Sequence, residues 1–478
     1  VDGGVSTIPN LTISADGFGG SNSKASGAGQ IDPFAGNGSG GNALLTVGDG
    51  SLTANTLLIE SSGFGGAGTG SDASGAATDG GNGTGGTAGL MFLPGSAGNL
   101  ASANPVVIAA GQGGNGGLSF SGTDGNGGNG TGGTAAVQLA DGAVTLGPLA
   151  IGSDGSGGSG VVGGRGSGGG AGFAVADTTG PVGTRTVGAL SLYGNGHGGT
   201  GASGTGPSDA GSAGISVAFA NAAAAFAIDG DLLIQSLGSN SPAGVGAGTI
   251  VSGAPLKVNG NATVSTTRDA QMSGTQLLHA TGNLAITARQ LTASGPLLAD
   301  GNVTIDALNG IALGSLTSGG TTDLTATNGA ITADDLRSAG AVTALGRSID
   351  ASSGAGLTIN TATATAGDLS ISTALGLNAT GALTASGAVA LAGAGGLTAG
   401  TVTSGGTTLL SAVNGTVAIS DLHSGGAVTA LGRSIGITSP GALPFTSANA
   451  TAGDLTVTAQ QLTATGSLSA SGNVALSG

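Results

Sequence analysis

The nearest approach to a paired-carboxylate device, the arrangement that cleaves glycosidic bonds, is Asp334-Asp335 in the run ITADDLRS. Neighbouring residues of a strand point to opposite faces, so such a pair shares a face only at a bulge or a turn. Asp335 returns 86 residues later as Asp421, with Arg337 replaced by His423 and Asp334 by Ser420. A carboxylate that recurs with a repeat reads as turn chemistry, and no catalytic residue is assigned. His197, His279 and His423 stand 82 and 144 residues apart, which matches no metal-ligand spacing, and each reads as a singly exposed side chain. Arg347 and Arg433 occupy the same place in two copies of LGRSI, pointing outward or answering nearby carboxylates. Two copies are too few for a ligand-binding ladder.

Asp16, Asp49, Asp79, Asp124, Asp141, Asp154, Asp229 and Asp300 each precede Gly. Aspartate accepts backbone hydrogen bonds in tight turns and glycine takes the left-handed position, so these pairs read as turns. Calcium held between carboxylates of neighbouring coils is the alternative kept open, although no segment repeats the calcium-solenoid nonapeptide in tandem; GGNGGLSFSGTDG comes closest, with its Asp out of register. No metal or other cofactor is assigned. The many GxGxxG strings follow no strand-to-helix junction, which argues against a phosphate cradle. Phe18 and Phe64 share one place in GFGG, as end plugs or rim residues.

These residues need a framework, and composition restricts it. Of 478 residues, 105 are Gly and 12 are Pro, only 7% are charged, and mean hydropathy is +0.32. Disordered chains combine low hydropathy with high charge, the reverse of this balance. Aromatics make up 2%, with no Trp, so the expected core is thin and built of Val, Leu, Ile, Ala and Thr. Nine cations scattered singly from Lys24 to Arg433, against a net charge of −15, leave no basic stripe for nucleic acid. The absence of Cys removes disulfides and thiolate chemistry. The longest apolar-leaning run, Val217 to Ile228, is interrupted by Asn221 and too short to span a bilayer, so no membrane insertion is expected. Val1 opens the chain without a signal-peptide pattern, and the chain is expected to be soluble and cut from something longer.

Repeats identify the framework. AVTALGRSI occurs at 341–349 and 427–435, GGTT at 319 and 405, and ATAGDL at 364 and 450, all offset by 86 residues. The unit G-x-φ-x-φ, where φ is apolar, starts at Gly282, Gly301, Gly320, Gly340, Gly367, Gly387, Gly406, Gly426, Gly453 and Gly472. Its steps are 19 or 20 residues, with 27 at two equivalent places, so each 86-residue block is expected to hold four coils. Apolar residues at alternate positions (Leu284 and Ile286, Val303 and Ile305, Leu369 and Ile371) specify strands, and nothing supplies crossover helices. Parallel strands without helices leave a solenoid, in which each coil supplies its neighbour's missing contacts. The first half carries a longer unit, with strand-to-Gly junctions closing at Gly20, Gly66, Gly114, Gly158 and Gly199. Each unit of 41 to 48 residues is expected to form about two coils, with an excursion of either looped turns or packed extended segments. The predicted organisation is 1–235 Gly-rich repeats, 236–281 transition coils and 282–478 regular coils.

Runs such as GNLAITARQLTASG and GDLTVTAQQLTATG resemble the repeat shafts of filamentous-haemagglutinin-like adhesins of Gram-negative bacteria over residues 282–478, and autotransporter passengers use similar coils. The resemblance implies an all-β, right-handed parallel β-helix in an elongated rod, exported through an outer-membrane secretion partner to the cell surface or the extracellular space. The Gly-rich half is similar in composition to glycine-rich surface proteins of mycobacteria, which rank second. The expected function is a stiff surface adhesin, non-enzymatic, contacting a host or neighbouring cell surface. A self-associating fibre or surface-layer protein and a β-helical polysaccharide-active enzyme are the alternatives.

Overall fold

The computed structural model describes residues 3–21, 35–70, 77–119, 123–176, 185–218, 226–239, 245–252, 254–274 and 278–478. Among them every regular element is a strand and the strand pairings are parallel, which makes the fold an all-β parallel β-helix. The chain divides into two compact units, Val1–Thr281 and Gly282–Gly478.

In the first unit the register fixes the coil length. Val5 lies opposite Ser51, Ser51 opposite Asn99, Asn99 opposite Ala143, and Val144 opposite Arg185. These partners are separated by the repeat length itself. Each Gly-rich repeat is therefore one coil, and the expectation of about two coils per repeat is corrected. Three faces make up a coil: one runs through Ser51 and Asn99, a second through Val106, Ala150 and Ser191, and a third through Asn42, Thr87, Thr134, Gly170 and Ser212. The extra residues form the excursion, two extended legs between the second and third faces.

The legs are packed segments, the second of the two forms open at the sequence level. Five outgoing legs pair in parallel through Gly17, Gly63, Gly111, Gly155 and Gly196, and five returning legs through Gly38, Gly83, Gly130, Gly166 and Ser208. A zigzag of N–H to C=O bonds stitches the two sets together: Gly81 to Gly66, Gly114 to Gly81, Gly128 to Gly114 and Gly158 to Gly128, each 2.8 Å. A Cβ on Gly114 would lie 1.9 Å from the Gly66 carbonyl oxygen, so backbone packing at this distance excludes every side chain. The left-handed position expected of the glycines in the Asp-Gly pairs from Asp16-Gly17 to Asp300-Gly301 is corrected accordingly: of them only Gly142 has positive φ, and close backbone approach accounts for the lattice.

The second unit stacks ten short coils. Its first face runs through Leu284, Val303, Thr322 and Val342. Its second runs through Leu291, Ile311, Ile331, Ile349, Leu369, Val389, Thr408 and Val428. The third contains Leu357, Leu377, Leu397, Val417, Ile435, Leu455 and Val474. Val342 and Val428 are equivalent by sequence yet lie on the first and second faces; Ile349 and Ile435 lie on the second and third. The 86-residue block is thus four coils plus one face, which corrects the expected four. Each 27-residue step, from Gly340 to Gly367 and from Gly426 to Gly453, is one coil plus one face.

Alternation buries one side of each strand: Leu284, Ile286, Val303, Ile305, Leu369 and Ile371 are all core residues. Phe92, Phe173, Phe226 and Phe445 join them, with the Phe173 and Phe226 rings 5.5 Å apart, so the core is not wholly aliphatic. Thr322 and Thr408, the second threonines of the GGTT copies, occupy apolar columns. Their hydroxyls meet Ser338 Oγ at 3.0 Å and Ser424 Oγ at 2.8 Å, which offsets the cost of burying them.

Candidate functional site

Asp334 and Asp335 sit at a corner of a coil. The strand Ile331–Ser338 follows one face to Ala333 and the next from Asp335. Asp335 accepts the Arg337 Nε–H at 3.0 and 3.2 Å and the Gly354 backbone N–H of the following coil at 2.9 Å. The Gly354 hydrogen bond, followed by Arg337, holds its carboxyl below the ordinary carboxylate range. Asp421 lies 3.0 Å from His423 Nε2, so His423 is not the solitary side chain expected. Residue 440, 19 positions beyond Asp421, is Pro and offers no N–H where Gly354 serves Asp335. Asp335 pairs in register with Ser315, and Asp421 with Thr401, placing the two carboxylates on different faces.

Arg347 and Arg433 are exposed and likewise one face apart; among the described residues neither makes an ion pair. His197 is exposed, whereas His279 is half-buried, a departure from the expected exposure. Phe18 stacks on Phe64 with centroids 5.0 Å apart and planes at 10°, on the outer side of the lattice with Phe18 74% exposed. Lys24, residues 120–122 of the calcium-like segment and 219–225 of the apolar run lie outside the described residues.

The Asp-Gly pairs perform a task that motif reading missed. Asp154 Oδ1 accepts the N–H of Asn195 at 2.7 Å, while the Gly155 N–H donates to the Asn195 carbonyl at 2.9 Å. The carboxylate and the adjacent N–H thereby grip both backbone groups of one residue in the next coil. Asp16-Gly17 grips Ser62 in the same way, and Asp79-Gly80 grips Asn126. Asparagine does so too: Asn37-Gly38 holds Asn82, Asn82-Gly83 holds Asn129, and Asn129-Gly130 holds Arg165. In the second unit the residue after Gly does half the work, as Asn283 accepts from Asn302, Asn302 from Thr321, and Asp454 from Asn473. The signal in the sequence was the spacing of Asx-Gly at the repeat length, which marks stacking contacts between coils.

Asp154 is the costly member of this series, since burial raises its pKa above 3.8 more than the Asn195 hydrogen bond and the nearby His197 lower it. A carboxyl with a raised native pKa loses stability as pH climbs from its unfolded value through its folded value, and the penalty persists at neutrality. Asn195 already fills the next position of the column and grips Leu237. Asp154→Asn is therefore expected to raise the urea midpoint at pH 7 and leave it unchanged near pH 3, where both forms are neutral. Urea titrations at the two pH values check this; a lowered midpoint at pH 7 contradicts it.

Among the described residues no three His, Cys, Asp or Glu side chains gather to hold a metal, and no helix is long and apolar enough to cross a membrane. An open, mostly apolar groove of about 630 Å³ follows the coils of the first unit, between Thr7, Thr53 and Thr145 on one wall and Pro9, Asn55 and Ala103 on the other. Comparison with family models, curated proteins and solved structures finds no match for the chain.

Proposed function

We propose that this chain is a section of an extracellular repeat adhesin, a β-solenoid scaffold that carries many weak contact sites and no catalytic centre. The supporting observation is the outward chemistry of the coils. Thr304, Thr343, Thr361 and Thr401 lie along the first face of the second unit, in a column that also holds Asp323 and Ala382, while Thr84 and Thr131 pair in register on the returning legs of the first beside Asn82 and Asn129. Short, mostly neutral donors and acceptors recurring at the strand spacing of about 4.8 Å or at twice it suit extended glycan or peptide surfaces, to which avidity adds what each site lacks. Of the carboxylates that invite an enzymatic reading, Asp335 is engaged by Arg337 and the Gly354 N–H, and Asp421 stands beside His423. On this reading the chain works outside a bacterial cell, and export through an outer-membrane partner is part of the proposal.

The test is retention of beads coated with the folded chain on host-type epithelial cells and on bacterial cells. Retention at least about tenfold above beads carrying the urea-unfolded chain is expected, since multivalency amplifies weak sites by more than that. Equal retention removes the adhesive reading. End-to-end filaments without cell binding would favour a structural fibre, and cleavage of an extracellular polysaccharide would favour the enzyme.

A further inference from the structure

We propose that Asn309 and Asn328, in bends of the second unit, and Asn414, at the register break within the strand Thr408–Ser424, are sites of spontaneous self-modification that turn neutral amides into carboxylates. Each precedes glycine, and each is exposed. In the reaction the backbone nitrogen of the following glycine, after giving its proton to solvent base, attacks the Asn side-chain carbonyl carbon. A C–N bond closes a five-membered succinimide while the C–N bond to the amide breaks and ammonia leaves. Water then opens the ring at either carbonyl, giving aspartate or isoaspartate. Water is the only co-reactant, and no oxidation state changes.

The Gly-rich coils of the first unit and the short coils of the second treat this chemistry in opposite ways. In the Gly-rich coils the clamps hold both reacting groups. Asn82 Oδ1 accepts the Asn129 N–H at 2.8 Å while the Gly83 N–H donates to the Asn129 carbonyl at 2.9 Å. Asn129-Gly130 holds Arg165 at 2.8 and 2.8 Å, Asn195-Gly196 holds Leu237 at 2.9 and 2.8 Å, and Asn115-Gly116 holds Ser159 at 2.9 and 2.7 Å. The nitrogen that must attack and the carbonyl it must reach are each tied to the next coil, so attack requires breaking the stack.

At Asn309 and Asn328 in the second unit these restraints are missing. Asn309 and Asn328 use their backbone N–H groups, to Arg289 at 2.6 Å and to Leu308 at 2.7 Å. Among the described residues no hydrogen bond engages either side chain, or the N–H of Gly310 or Gly329. Asn414 lies 86 residues after Asn328, and Gly415 falls in the stretch between Ala412 and Thr416 where the strand register breaks. Packing also keeps the reactive dipeptide in place. A Cβ on Gly329 would lie 1.4 Å from the Asn309 carbonyl oxygen, so stacking demands glycine, the residue that least hinders ring closure.

The test is peptide mass spectrometry of the whole folded chain, aged at about pH 8 and 37 °C, with isoaspartate identified by fragmentation. Conversion at Asn309, Asn328 and Asn414 is expected to run at least about tenfold faster than at Asn82, Asn129 and Asn195, each of which must first give up two hydrogen bonds. In chain aged in urea the six sites are expected to converge, because all are Asn-Gly. Equal rates in the folded chain overturn the proposal. So does the same ordering in urea, which would trace the difference to local sequence. Asn328→Gln, which lengthens the side chain past five-ring closure, is expected to abolish conversion at that turn and leave Asn309 and Asn414 unchanged.

Discussion

Gly114→Ala is expected to lower the stability of the first unit by about 3 kcal/mol or more, the upper part of the range for overpacking, because the obstacle is backbone and cannot rotate away. The new methyl would lie 1.9 Å from the Gly66 carbonyl oxygen and 2.6 Å from its carbon. Moving the leg to make room strains two bonds of the zigzag, Gly114 to Gly81 and Gly128 to Gly114. Gly172→Ala is the control. Gly172 stands in the strand Gly170–Ala176 with nothing within 4 Å of its would-be Cβ, so alanine there is expected to be neutral or to stabilise by up to about 1 kcal/mol. Urea titration followed by circular dichroism measures both, and amide hydrogen exchange should place the Gly114→Ala damage in the legs before the three faces. A Gly114→Ala chain as stable as the parent would mean that the legs do not pack as described.

Leu316→Asp is expected to cost at least about 3 kcal/mol and to open the coils around it, since a carboxylate would enter the dry column with no partner. Leu316 is fully buried, paired in register with Leu297 below and Leu336 above. The next residue gives the opposite forecast. Thr317 faces outward opposite Arg337, so Thr317→Asp is expected to stay within about 0.5 kcal/mol of the parent, with any residual effect favourable and weakened by salt. Thermal and urea unfolding of the two variants decide the matter. Similar losses at both positions would refute the alternation on which the coil depends.

The strands of the second unit were legible because alternation survives wherever a side chain exists to reveal it. Leu284 and Ile286, or Val389 and Leu391, declare their buried face outright, and all four are core residues. The Gly-rich legs carry no such alternation. A run such as Gly111 to Gly117 has only Gln112 and Asn115 as side chains, and what fixes it is the distance between backbones, a property of the stacked coils that a linear reading lacks. One coil was therefore mistaken for two. The four-coil reading of the 86-residue block failed for a related reason: G-x-φ-x-φ marks the start of a strand and carries no label for its face. Asp335 and Asp421 illustrate the result at the candidate site. Their recurrence was plain, whereas their placement on separate faces required the register.

The extra face in each 86-residue block has a consequence for how such a chain can lengthen. Each duplication of the block sets the new copy about 20 Å further along the stack, at the usual strand separation, and rotates it by a third of a revolution. Three copies complete a cycle, like the thread of a screw. A recognition group acquired once and then duplicated would point in three compass directions, so partners approaching from any side would meet it. Neighbouring copies would also find sliding past one another difficult, since alignment of like with like demands a turn as well as a translation.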